Sequence, residues 1–231
     1  MYLIKITFLQ LVVLLFINIQ PLNAQPYYRM SSDFSIKIKS ADGFQQLTMG
    51  TVYYDKNIEK LVHQINFPNN EIWVTLDTFM YRIVNKVQIS KQKIPAIARF
   101  SVFHVALSAQ LPDYGLRNSK FKADKIEYEK DMVITTWLPP DNVKDKFGKI
   151  MVSNKNKQLY GIVFFNPQGE ILSKQFFEKY VNVQGFMFPT EILSITYVQN
   201  KESYELTTYK NIKVNNTNEN NMYNYPVTFS K

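Results

Sequence analysis

The chain has 231 residues, 27 Lys+Arg against 19 Asp+Glu, a net charge of +8 and 45% apolar residues. Its 17 Phe and 15 Tyr exclude global disorder, because a disordered chain could not bury them. The absence of cysteine removes thiol catalysis, thiolate metal sites and disulfides together, and seven scattered glycines with neither GxGxxG nor GxxxxGK(S/T) exclude a dinucleotide fold or a P-loop.

The first element is an address. Lys5 is the only charge before Arg29, an apolar run follows from Ile6 to Ile19, and Gln20-Pro21-Leu22-Asn23-Ala24 ends it with a helix breaker and a small residue. This is the three-part build of a secretory signal peptide. The run is shorter than the roughly 20 residues of a spanning helix, which favours cleavage after Ala24 over a retained anchor. With no Cys to acylate, the chain is not itself a lipoprotein. Residues 1–24 are therefore expected to be removed, leaving 25–231 as one exported domain.

Period-two alternation dominates from there. Phe34, Ile36 and Ile38 form one strand face, and Asp42-Gly43 supplies a hairpin turn. Further strands follow at Leu47 to Tyr53, Leu61 to Phe67, Ile72 to Leu76 and Phe79 to Ile83, all joined by short connections. Pro95 to Leu107 interrupts this meander: Ile97, Phe100, Phe103 and Leu107 recur at helical steps, with Pro95 at a permitted first-turn position. After Pro112-Asp113-Tyr114-Gly115 the strands resume. Ile126, Tyr128, Met132 and Ile134 read as one face of a single strand, with Glu127, Glu129 and Asp131 opposite. Four or more strands then run from Lys149 to Val214, punctuated at Asn166-Pro167-Gln168-Gly169. A mainly β fold of about 10–11 antiparallel strands is expected, as one curved sheet forming an unclosed barrel with a helical cover. Residues 215–231 read as a polar, mobile tail.

Chemistry is scarce. The two histidines, His63 and His104, have no carboxylate at metal-ligand spacing, and GxSxG, SxxK and HExxH are all absent. Glu127, Glu129 and Asp131 are interspersed with Lys125 and Lys130, as on a solvated strand face. Lysines alternate with apolar residues, as in Ile36-Lys37-Ile38-Lys39, which points to a wet sheet face and not to a nucleic-acid patch. No active site, metal or cofactor is expected, and no nucleic-acid partner. What the chain has in excess is bulky apolar side chains. Tyr53, Phe67, Trp73, Phe79 and Tyr81 from the first strands, Phe100, Phe103 and Leu107 from the helical segment, and Trp137 beyond it are the candidate lining of a cavity. Two readings stay open: an ordinary filled core, or a sheet and cover enclosing an apolar ligand.

Gly50-Thr51-Val52-Tyr53-Tyr54, then His63-Gln64-Ile65-Asn66-Phe67-Pro68, then Glu71 to Tyr81 resemble the periplasmic outer-membrane lipoprotein carriers, the LolA-like family. Trp137-Leu138-Pro139-Pro140, Leu159-Tyr160-Gly161-Ile162 and Asn166-Pro167-Gln168-Gly169-Glu170 resemble its second half. The resemblance implies an unclosed barrel with a helical lid over an apolar cavity, a monomer in the periplasm, and lipoprotein acyl chains or other lipid as cargo. An inner-membrane release complex and an outer-membrane receptor are the partners it implies. The family's lid-closing Arg is replaced here by the stretch Asp55-Lys56-Asn57, so the resemblance puts Lys56 at the lid latch, with charge but without a planar bidentate group. The alternative is a non-enzymatic envelope interaction or sensing module on the same fold, with its barrel filled.

Overall fold

Each half of the chain folds back and forth on itself, and the two halves meet where the chain begins and ends. The computed structural model describes residues 27–94, 101–199 and 201–227. The first meander is β1 (Arg29–Lys39), β2 (Gln45–Asp55), β3 (Lys60–Phe67), β4 (Glu71–Leu76), β5 (Phe79–Val84) and β6 (Val87–Lys93). The second is β7 (Lys122–Glu129), β8 (Met132–Leu138), β9 (Ile150–Lys155), β10 (Gln158–Phe165), β11 (Ile171–Val183), β12 (Phe186–Val198) and β13 (Lys201–Val214). All thirteen lie in one antiparallel sheet, ordered β6-β5-β4-β3-β2-β1-β13-β12-β11-β10-β9-β8-β7. β1 pairs with β13 at its centre, with Phe34 opposite Tyr209. β6 and β7 are the two edges and do not pair, so the barrel is unclosed.

The expected strand count of 10–11 falls short of thirteen for two physical reasons. Lys130, at φ 55, turns the chain between β7 and β8, so the single expected strand is a hairpin. Paired residues share a face, so Tyr128 lies with Val133 and not with Met132 or Ile134. Tyr128 is accordingly 80% exposed. The second reason is β6, whose apolar Val87 and Ile89 are exposed and bury nothing. It forms by pairing with β5 through the Asn85-Lys86 turn, where both residues have positive φ, as a two-residue hairpin loop of this kind requires.

The connection from β6 to β7 carries helix α1 (Val102–Leu107), the described part of the expected helical segment. Ser101 is extended and its side chain accepts from the His104 N–H at 3.2 Å, so α1 starts there. Pro95 to Phe100, including Ile97 and Phe100, lie outside the described residues.

Burial occurs on both faces of the sheet. The concave cluster joins Met30, Phe34, Val52, Tyr54, Leu61 and Ile65 to Val152, Leu159, Ile162, Phe177 and Phe188, with α1 packed upon them. Gly50 stands on the same parity, and a Cβ there would come within 2.0 Å of the Gln64 carbonyl oxygen, so only glycine fits against β3. The second cluster is Tyr53, Val62, Val74, Tyr81 and Ile83, closed by Tyr223 of helix α2 (Asn220–Tyr223). Here the segment 215–231 departs from the expected polar tail, as far as residue 227, the last one described. Asn215 accepts from the Tyr28 N–H, Lys60 Nζ donates to the Tyr225 carbonyl, and Arg29 lies over the Tyr223 ring. The polar run ahead of it hides Met222, Tyr223, Tyr225 and Val227, which pack on the outside of β2 to β5.

Candidate apolar site beneath a helical cover

Helix α1 presents Phe103 to the concave face. Its ring stacks on Phe188 at 5.7 Å and on Tyr54 at 6.2 Å, and meets Tyr209 edge-on at 5.3 Å. Phe188 continues the stack to Phe186, and Phe186 to Tyr27. Val105, Ala106 and Leu107 are buried beside it. A six-residue helix has little stability of its own, so this packing and a few polar ties hold it in place.

Two of those ties come from one strand end. Tyr54 Oη lies 2.6 Å from His104 Nδ1, and Lys56 Nζ donates to the Leu107 carbonyl at 3.0 Å. Lys56 therefore caps the carbonyl end of α1, where a cation also meets the negative end of the helix dipole. Beneath this end lies an open cavity of about 380 Å³. Ala106, Leu107 and Leu111 line it from the cover, and Leu159, Tyr180, Phe186, Met187 and Tyr27 from the sheet. Tyr180 donates to the Leu159 carbonyl at 2.8 Å, which satisfies its hydroxyl within the sheet. Burial raises the phenol pKa of Tyr114 to about 12 and pushes those of Tyr180 and Tyr209 up as well, so all three stay neutral over the physiological range.

The candidate lining divides between the two faces. Phe103, Leu107 and Trp137 join the concave cluster, and Trp73 packs at its margin while its indole N–H donates to Glu71 Oε2 at 2.8 Å. Tyr53, Phe79 and Tyr81 lie in the opposite cluster, under the C-terminal segment. Phe67, at the end of β3, is 47% exposed, and Phe100 is outside the described residues. Tyr54, Phe34, Tyr209, Phe186 and His104, absent from the expected set, stand with Phe103 instead. The parity of Gly50, Val52 and Tyr54 was the available signal, and Tyr53 masked it by being equally apolar.

Among the described residues no three His, Cys, Asp or Glu side chains gather as metal ligands, and no helix is long and apolar enough to cross a membrane. Of the carboxylates at the β7–β8 hairpin, Glu127 pairs with Lys125 and Asp131 with Lys155, each at 2.7 Å, at the surface.

No family model matches the chain, and no curated protein matches it. Solved structures do. A LolA superfamily protein from Nitrosomonas europaea aligns over 85% of this chain and 90% of its own, at 14% identity and a TM-score of 0.57. A DUF1329 family protein from Desulfovibrio piger covers 87% and 91%, at 10% identity and a TM-score of 0.61. A domain assigned as an outer membrane lipoprotein-sorting protein, from Vibrio parahaemolyticus, covers 86% and 90%, at 10% identity and a TM-score of 0.60. The chain thus has a LolA-like fold, as the sequence resemblance implied.

Proposed function

We propose that this protein is a non-enzymatic carrier that takes the acyl chains of lipoproteins, or other lipid, between its concave sheet face and the α1 cover. The observation that carries this reading is the cover itself: an apolar helix over an aromatic interior, tied by side-chain hydrogen bonds beside an open apolar cavity. Each methylene moved from water into such an interior contributes about 0.8 kcal/mol, so acyl chains supply affinity without covalent chemistry. Displacing Phe103 from its stack would enlarge the cavity, and the Lys56 and Tyr54 ties would reform on release. The fold and the signal-like first 24 residues support a periplasmic setting, and with it handover from an inner-membrane release complex to an outer-membrane receptor.

A second reading has its own observation. Phe103, Phe188 and Tyr209 pack ring against ring beneath α1, as a filled sensing or interaction module would have it. Titration of an apolar fluorescent probe into the wild type and into Phe103→Glu, with urea unfolding alongside, separates the two. A carrier binds the probe, and the variant loses binding at least tenfold while the charge swings to water and costs about 1–2 kcal/mol. A rigid filled core gives no probe binding, and a loss of 3 kcal/mol or more from the buried charge.

A further inference from the structure

The concave face is not apolar throughout. One step along the strands from the Phe34–Tyr209 pair, Ile36 stands opposite Thr207, and Thr48 stands opposite Ile36 on the other side. One step further, Glu205 faces Ile38 on β1 and Ser194 on β12, and Ser194 faces Gln175 on β11. Register thus places Thr48, Thr207, Glu205, Ser194 and Gln175 on contiguous strands of the concave side, beside the aromatic stack and toward the end of the sheet away from Lys56. Thr48 and Thr207 are buried.

Glu205 is the ionisable member of this girdle. It is half-buried, and burial pushes its carboxyl pKa up, opposed by a hydrogen bond from Thr207. That hydroxyl, at 3.5 Å, is its hydrogen-bond donor among the described residues, and no described cation pairs with it. On β1 the charges Asp33, Lys37 and Lys39 fall on the other parity, as do Lys174 and Glu178 on β11 and Glu191 on β12. Lys201 shares the parity of Glu205 but stands at the turn that begins β13. A carboxylate drawn out of water without a cation is costly, and it is relieved by whatever cation or donor enters beside it.

Resting on the carrier reading above, we infer that Glu205 and the hydroxyl and amide groups around it form a head-group subsite for an amphiphile with a cationic, hydrogen-bond-donating head such as a primary ammonium, its acyl chain running toward Phe103. Aromatic lining at one end of the concave face and a polar girdle at the other match the two ends of such a molecule. The protein's net charge of +8 would by itself favour anionic amphiphiles, so a preference for cations must come from a local group.

The test uses the full chain and three dodecyl amphiphiles below their micelle concentrations: dodecylammonium, dodecyl phosphate and a neutral dodecyl glycol. The wild type is expected to bind dodecylammonium about tenfold more tightly than dodecyl phosphate, the worth of one charge-assisted hydrogen bond. Glu205→Gln should erase that preference and leave the glycol within about twofold, and Thr207→Val, which keeps the carboxylate, should retain the preference. An unchanged ranking in Glu205→Gln, or phosphate bound as well as ammonium by the wild type, overturns the subsite. If the apolar probe binds and no amphiphile does, the subsite falls and the carrier stands. If the probe fails as well, both fall.

Discussion

The two faces of this sheet bury apolar side chains by opposite means. On the convex side, Tyr53, Val62, Val74 and Tyr81 are closed by the chain's own C-terminal segment. That closure is anchored by charge: Arg29 pairs with the buried Asp55, reaches Asn220 and covers Tyr223, while Lys60 holds the Tyr225 carbonyl. On the concave side a much larger cluster is covered by a short helix, and the ties named above are a phenol–imidazole contact and one lysine. The difference separates two jobs that apolar area can do. The convex cluster stabilises the half-sheet β2 to β5, and in the proposed carrier the concave one would have a cover that acyl chains can replace.

Breaking the convex closure should give the largest loss. Tyr223→Ala removes a buried ring that meets Tyr53 edge-on at 5.5 Å, and a cost of about 3–4 kcal/mol is expected in urea unfolding, with apolar probe binding unchanged. A loss below about 1 kcal/mol would show that the segment merely rests on the sheet. Acid tests the concave side next. His63 lies edge-on to Phe34, and burial lowers its pKa from 6.5 to about 4. The unfolded chain binds this proton more readily than the folded one, so the stability tied to neutral His63 is fully present above pH 6.5. It is lost as pH falls through about 4, by on the order of 1–3 kcal/mol. Glu205 runs the other way, because its raised pKa gives stability at low pH that disappears as pH rises. His63→Leu should therefore flatten or invert the acid limb of stability against pH, and an unchanged limb would mean that His63 is solvated in the native state. The smallest expected effect sharpens the comparison most. Lys56→Met should cost only about 1 kcal/mol and speed hydrogen exchange of the α1 amides about fivefold, from a wild-type rate already at least roughly tenfold above that of the β1 and β13 amides. Equal wild-type rates in both would make the cover part of the core.

Much of the architecture is legible in the chain because alternation and short turns are local signals. Their failures are instructive. Ile126, Tyr128, Met132 and Ile134 keep period two across a turn made without glycine, and a two-residue hairpin reverses parity in a way that alternation does not record. Tyr53 and Tyr54 are both large and aromatic, so β2 carries apolar groups on both faces and nothing in the strand alone says which side meets the helix. Tyr223 was hidden by the asparagines before it. In the candidate site, Phe103 and Leu107 follow from helical spacing, and Lys56 from the family resemblance. The partners Tyr54, Phe188 and Tyr209 come from distant strands, and only the register of the sheet brings them together.

The pairing of β1 with β13 also sets the order in which the molecule can be made. Ser35 and Thr208 share a hydrogen bond although they are 173 positions apart, and every strand of the second meander must be present before that seam closes. Contacts of this range delay folding, because the loop entropy is lost before the pairing is gained. The first strand therefore waits for the last, and until β13 arrives its hydrogen-bonding edge stays unpaired. That open edge of β1 is the place where aggregation, or a chaperone, would first take hold.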